Sequence, residues 1–71
     1  MKPAIVTLQI FKQLHADGRF GTVDVTNGRR LLATFWYQGP EAGTYDRDRY
    51  ITMEEAERQA AEFVFAWQKR G

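Results

Sequence analysis

The feature that most constrains the fold is the stretch TVDVTNGRRLLATFWYQGP, in which two strand-like runs flank the pair Asn27-Gly28. Alternation of β-branched and polar residues predicts strands. An Asn-Gly pair between two such runs predicts a tight hairpin turn, because both residues tolerate positive φ. The second run ends in three consecutive aromatic residues, Phe35, Trp36 and Tyr37. Because neighbouring side chains on a strand point to opposite faces, one core cannot receive all three.

A second turn pair, Asp17-Gly18, lies upstream between an apolar run and the strand-like run FGTVDVT. If both turn pairs form two-residue loops, the two registers agree, and Val23 faces Lys12 on one side and Leu32 on the other. The sequence therefore predicts an antiparallel meander with strands over about residues 4–14, 20–26 and 29–37.

Glycine and proline predict a loop over residues 38–50. Its second half, TYDRDRY, alternates and is compatible with a short fourth edge strand over 44–50. ITMEEAE then predicts a helix start, with Thr52 as the N-cap and Glu55 completing a capping box. The helix is predicted over about 53–69, and its apolar stripe comprises Met53, Ala56, Ala60, Phe63, Val64 and Trp67.

The predicted fold class is α+β, a single domain with a three-stranded antiparallel meander packed against one C-terminal helix. The register assigns to the core face Val6, Leu8, Ile10, Leu14, Val23, Val25, Leu32 and Trp36. The other face groups aromatic with polar residues: Phe11, Phe20, Phe35 and Tyr37, with Gln9, Gln13, Thr22 and Arg29. Clustered aromatics on a face that is normally wet predict an interaction surface. The alternative is that some of these rings fold over a sheet edge or under the 38–50 loop.

The composition limits the chemistry that this chain can perform. It has 71 residues, a net charge of +1 and no cysteine, which excludes disulfides and thiolate metal sites and is typical of cytoplasmic proteins. No run has the pattern of a signal peptide or the length of a membrane span. His15 is the only histidine, and it lies beside a turn without an evident catalytic partner. We therefore expect no enzyme, no metal and no cofactor.

The order of elements resembles the arm-type DNA-binding domains of tyrosine recombinases from phages and mobile elements. The resemblance covers residues 9–66 and is carried by DGRFGTVDV, the aromatic third strand and YITMEEAERQAAEF. In that family the sheet enters the major groove, which implies base-reading roles for Gln9, Gln13, Thr22 and Arg29. It likewise implies backbone contacts for Lys12, Arg19 and Arg30. In size and near-neutral charge the chain also resembles compact phage inhibitor proteins, including anti-CRISPR proteins.

Two functions remain open at this point. The first is a non-enzymatic protein-binding module, as in an inhibitor or adaptor, with these contact residues: Phe11, Gln13, Arg29, Phe35, Tyr37 and Phe65. Self-association through the same residues, giving a homodimer, is a variant of it. The second is a DNA-binding domain that reads the major groove with its sheet, using these basic residues: Lys12, Arg19, Arg29, Arg30, Arg47 and Arg49. Asp24 on the sheet face and the lack of a basic stripe favour the first.

Overall fold

The computed structural model describes residues 8–70. Its elements are β1 (Gln9–Leu14), β2 (Phe20–Asn27), β3 (Arg30–Gln38), α1 (Thr44–Arg49) and α2 (Met53–Arg70). The strands form one antiparallel sheet in the order β1-β2-β3, and α2 packs on one face of it, mainly against β2 and β3. The predicted α+β meander with a C-terminal helix is confirmed. The part of the first predicted strand over residues 4–7, with Val6, lies outside the described residues.

The N-cap of α2 and most of its apolar stripe are as the sequence predicts, whereas the Glu55 carboxylate does not accept the hydrogen bond from the Thr52 N–H that a complete capping box requires. Thr52 Oγ1 accepts a hydrogen bond from the Glu55 N–H at 3.2 Å, so Thr52 is the N-cap. The Glu55 carboxylate accepts hydrogen bonds from side chains further along the helix, those of Arg58 and Gln59. Of the predicted stripe, Met53 is exposed and the other members face the core: Ala56, Ala60, Phe63, Val64 and Trp67. The two alanines are fully buried and let the helix approach the sheet closely.

The predicted register of β1 against β2 is confirmed, whereas the turn between β2 and β3 differs from its prediction. Asn27 pairs with Arg30, so the two loop residues are Gly28 and Arg29 rather than Asn27 and Gly28. Gly28 has a φ of 63°, and among residues 8–70 no residue other than glycine has a positive φ. Glycine therefore occupies the first central position, as in a type II′ turn. This change moves the register by two residues, which by itself leaves each β3 side chain on its predicted face.

A β-bulge follows the turn and places the later side chains of β3 on the face opposite to the predicted one. Thr26 pairs with Leu31, but the next residue of β2, Val25, pairs with Ala33. Leu32 is thus an extra residue on β3, and both it and Ala33 border the core. Because side chains alternate along a strand, one inserted residue sends every later side chain to the opposite face.

The assignment of the aromatic residues to the two faces is therefore corrected. Phe35 and Tyr37, predicted on the outer face, lie on the α2 side, with Phe35 opposite Val23 and Tyr37 only 4% exposed. Trp36, predicted in the core, lies on the outer face and is 48% exposed. Thr34 also lies on the outer face, where it pairs with Asp24.

Residues 44–50 were predicted as loop or edge strand, and that prediction is wrong because Thr44–Arg49 form the helix α1. The only extended contact on this side of β3, within the described chain, is an isolated parallel bridge between Tyr37 and Ile51. It is accompanied by a hydrogen bond from the Gln38 N–H to the Ile51 carbonyl oxygen at 2.7 Å. None of the helices described over residues 8–70 has the length and apolar content required to cross a bilayer.

Tyr37 of β3 crosses Gly21 of β2 and reaches β1, so it contacts all three strands. Its hydroxyl donates a hydrogen bond to the Gln13 carbonyl oxygen of β1 at 3.0 Å. A Cβ atom at Gly21 would lie 2.3 Å from Cζ of the Tyr37 ring and 2.4 Å from the Gln13 carbonyl oxygen. Only glycine leaves room for the ring at this position.

Substitution of Gly21 tests this packing. We expect Gly21→Ala to lower the free energy of unfolding by about 1–3 kcal/mol, the usual cost of overpacking a close contact. Gly43→Ala is the matched control, because its Cβ would meet only a carboxylate oxygen at 3.8 Å. Gly43 is the N-cap of α1, where alanine is less favourable than glycine, but alanine also lowers the entropy of the unfolded chain, so we expect a net change of less than about 1 kcal/mol. Urea denaturation measures both, and equal stability of the two variants would contradict the packing of Tyr37 over Gly21.

Candidate binding surface

Three aromatic rings meet on the outer face of the sheet, at the end next to α1. Phe20 begins β2, Trp36 lies near the end of β3, and Tyr50 follows α1. The centroid of the Phe20 ring lies 5.4 Å from that of Trp36 and 5.3 Å from that of Tyr50. The Trp36 and Tyr50 rings are stacked, with their centroids 6.0 Å apart. These separations are typical of favourable aromatic contacts. We call these three residues the aromatic cluster.

His15 extends the aromatic cluster on the β1 side. Its ring stacks on Phe20 with centroids 4.5 Å apart, and its Nδ1 lies 2.9 Å from Oδ1 of Asp17. The Arg19 backbone N–H and the His15 ring both hold the pKa of Asp17 below its ordinary value. The sequence predicts His15 beside a turn, and the structure places it there, exposed to solvent and contributing a ring to this surface.

Arg49 borders the aromatic cluster on the α1 side. Its guanidinium carbon lies 6.0 Å from the centroid of Tyr50 and 5.8 Å from that of Tyr45, within the range of cation–π attraction. It also donates a hydrogen bond to the Tyr45 hydroxyl at 2.5 Å, which raises the pKa of Arg49 above its ordinary value. Trp36, Arg49 and Tyr50 together line a shallow cleft.

An ion pair fixes α1 against the turn between β1 and β2. Nε and Nη2 of Arg19 donate to the two carboxylate oxygens of Asp46 at 2.9 and 3.1 Å, and Asp46 is buried. The Gly43 N–H donates to the same carboxylate at 3.0 Å. Phe20 follows Arg19 and Tyr50 follows α1, so this bidentate pair brings the two rings together.

Only some of the residues predicted to contact a protein partner lie on the outer face of the sheet. Phe11 is exposed there, and Gln13 Nε2 donates a hydrogen bond to Oδ2 of Asp24 at 3.0 Å. Arg29 is exposed at the tip of the β2–β3 hairpin. Phe35 and Tyr37 are removed from the surface by the bulge, and Phe35 packs edge-on against Phe63 of α2.

Phe65 is exposed as its position on α2 predicts. It faces away from the sheet with 67% of its surface accessible, and the Lys69 ammonium lies 5.8 Å from its ring centroid. Phe65 is thus separated from the aromatic cluster by the sheet and the helix layer.

The structure does not bring the six predicted nucleic-acid contacts together. Lys12 lies on the α2 side with its Nζ 3.6 Å from Oε2 of Glu57, and Arg19 is held by Asp46. The hairpin tip carries Arg29 and Arg30, at the other end of β3 from the segment that carries Arg47 and Arg49. These basic side chains form no continuous stripe.

Trp36 and Tyr50 are the members of the aromatic cluster that the sequence does not predict on this face. Trp36 was placed in the core because the bulge had no sequence signature, and Tyr50 was placed in a loop. One signal could have indicated α1: the Asp46 carboxylate lies three residues after Gly43, the spacing at which a side chain reaches back to an N-cap.

Comparisons of the chain with protein-family models, curated proteins and solved structures found no match. Among residues 8–70, no three acidic or histidine side chains are arranged to hold a metal ion. We therefore infer function from the geometry and charge of the surface itself.

The ion pair of Asp46 makes stability depend on pH. Hydrogen bonds from Arg19, then from the Gly43 N–H, hold the pKa of Asp46 below its ordinary value of 3.8. A lowered folded-state pKa stabilises the protein above the ordinary value, and this contribution is lost as the pH falls through the lowered one. We expect Asp46→Asn to lower the melting temperature at neutral pH.

The same substitution should also flatten the loss of stability as the pH falls below the ordinary pKa of 3.8 toward the lowered pKa of the folded state, because the contribution of the wild-type ion pair disappears over that range. Thermal melts recorded from neutral to acidic pH measure both effects. Asp48→Asn, at an exposed position on the same helix, is the control and should retain the wild-type profile. If the melting temperature of Asp46→Asn falls at acidic pH as steeply as that of the wild type, the ion pair does not stabilise the fold.

Proposed function

We propose that this chain is a non-enzymatic binding module that docks another protein on the outer face of its sheet. In this proposal it acts in the cytoplasm as an inhibitor or adaptor of the kind that phages and mobile elements encode, and it requires no cofactor. The aromatic cluster is the observation that carries the proposal. Trp36 remains 48% exposed beside two other rings on the sheet face that α2 does not cover. Exposed clusters of large apolar side chains are typical of interaction sites.

The contacts that hold the rings and α1 in position support this proposal. The rings contact one another, and the Arg19–Asp46 pair holds α1 in place. Gln38 Nε2 also donates a hydrogen bond to the Tyr50 carbonyl oxygen at 2.7 Å. Side chains that are already ordered lose less conformational entropy on binding, so more of the contact energy contributes to affinity.

The chemistry of the surface matches the composition of protein interfaces. Trp36 and Tyr50 provide an apolar centre, and Arg49 lies at its rim with part of its guanidinium over an aromatic ring. Tryptophan, tyrosine and arginine contribute most of the binding energy at typical interfaces. Phe11 and Gln13 extend the surface along β1, and the amide of Gln13 is already oriented by Asp24.

The charges favour a protein over duplex DNA as the partner. Asp24 lies on the outer face, and two of the basic residues are engaged by carboxylates, Lys12 by Glu57 and Arg19 by Asp46. A sheet that binds the major groove needs basic side chains toward the phosphates on both sides of the groove. DNA binding through Arg29 and Arg30 is the second candidate and is an outcome of the test below.

Alanine substitution of Trp36 tests the proposal. We expect Trp36→Ala to keep the fold and to weaken partner binding about 30-fold or more, the effect of losing a central aromatic anchor. Phe65→Ala is the matched control, because Phe65 is also an exposed aromatic residue but lies on the far side of α2. The wild type and the variants are immobilised and incubated with a cell extract. Mass spectrometry then identifies and quantifies the proteins that each of them retains. A partner retained equally by both variants would contradict docking on the aromatic cluster.

Titration of labelled DNA separates the two candidate functions. We expect fluorescence anisotropy to show no binding of duplex or single-stranded DNA at physiological salt. Binding that falls steeply with salt and is weakened by Arg29→Ala or Arg30→Ala would favour the DNA candidate. Binding of single strands that requires Trp36 would instead make the aromatic cluster a base-stacking surface.

A further inference from the structure

The strand β1 forms an exposed edge of the sheet with an unusual apolar content. All six of its residues are exposed, and α2 packs mainly over the other two strands. Ile10, Phe11 and Leu14 are 49%, 49% and 51% exposed. Edge strands that expose apolar side chains are templates for pairing with another chain, and proteins usually protect them with charge or proline.

The backbone of β1 is oriented for such pairing. The His15 N–H donates to the Phe20 carbonyl oxygen at 2.9 Å, so His15 belongs to the residues of this strand that hydrogen-bond to β2. In an antiparallel pair, every second residue directs its N–H and C=O groups toward the neighbouring strand. Phe11 lies four residues before His15, so its backbone groups also point toward β2. The N–H and C=O groups of Ile10 and Lys12 therefore point toward the open edge.

The single charge on β1 is paired within the chain. Lys12 is the only charged residue of the strand, and its ammonium is directed to Glu57 of α2, 3.6 Å away. The edge therefore presents apolar and amide side chains with a nearly neutral charge.

We propose that two copies of this chain pair through β1 as a two-fold symmetric dimer with one continuous antiparallel sheet. The symmetry axis passes through Phe11, so that Phe11 faces Phe11 of the second copy on the outer face. On the α2 face, Ile10 faces Lys12 of the second copy, and Leu14 faces Leu8. This inference does not depend on the proposed function of the aromatic cluster.

Self-complementarity selects a second copy as the occupant of this edge. A two-fold contact requires that the same strand be a good partner for itself. The register centred on Phe11 pairs aromatic with aromatic and leaves no like charges opposed, whereas a register centred on Lys12 places two ammonium groups directly opposite each other. Association would also remove from water the apolar side chains that β1 exposes. A contact made by one strand of each copy belongs to the low end of interface sizes, so we expect a dissociation constant of about micromolar order.

Cysteine crosslinking tests the register. The chain contains no cysteine, so Phe11→Cys introduces a single thiol at the proposed axis. Residues opposed in such a pair have Cα atoms about 4.5–5.5 Å apart, within the range of a disulfide. We expect this variant to form disulfide-linked dimers about tenfold faster than Phe65→Cys, because pairing raises the effective concentration of the thiols. Equal rates, or faster crosslinking of Phe65→Cys, would overturn the proposal.

Charge substitutions at Ile10 provide a second test. In the proposed register, Ile10→Lys places an ammonium group opposite Lys12 of the second copy, whereas Ile10→Glu places a carboxylate there. We expect sedimentation velocity at about micromolar to millimolar concentration to show a wild-type dimer, a monomer for Ile10→Lys and a dimer for Ile10→Glu. Circular dichroism verifies that both variants are folded, as the exposure of Ile10 predicts. A monomeric wild type, or equal loss of the dimer in both variants, would overturn the proposal.

Discussion

The extra residue in β3, Leu32, determines the composition of both faces of the sheet. Two residues of β3 oppose Val25 of β2, and alternation then sends Tyr37 toward α2 and Trp36 toward solvent. A bulge interrupts the regular hydrogen-bond ladder, but here it also allows Tyr37 to cross Gly21 and bond to β1. The core therefore gains an aromatic ring that links the three strands, and the outer face gains the ring that forms its apolar centre.

The position of α1 depends on a second close contact, directly after β3. The Gly39 N–H donates to the Arg19 carbonyl oxygen at 2.9 Å, and a Cβ on Gly39 would lie 2.2 Å from the Gly18 carbonyl oxygen. The chain leaving β3 is thereby held against the β1–β2 turn. From this position α1 directs Asp46 at the Arg19 side chain and leaves Tyr50 beside the sheet. The aromatic cluster is thus built by contacts between segments that are distant in the sequence.

Local patterns predicted the elements whose formation depends on neighbouring residues. The register of β1 with β2, the N-cap at Thr52 and the apolar stripe of α2 all follow from turn residues, capping and periodicity. The faces of β3 could not be predicted in this way, because either face of its aromatic run could pack against α2 and the bulge decides between them. Similarly, α1 has a period-two charge pattern, and its inward residue, Asp46, is stabilised by Arg19, 27 positions earlier. The aromatic cluster could not be predicted for the same two reasons, because Trp36 lies on β3 and Tyr50 directly follows α1.

Pairing through β1 would change what the outer face can bind. A two-fold axis at Phe11 joins the outer faces of two sheets, with one aromatic cluster toward each end because Phe20 and Trp36 lie near one end of the strands. A partner with two matching sites would contact both clusters, and the second contact would form at a high effective concentration. A small, nearly neutral surface on each copy would then be sufficient for tight binding. The same arrangement would bury Phe11 against its symmetry mate, so the partner contacts would shift from β1 to the rings beside α1.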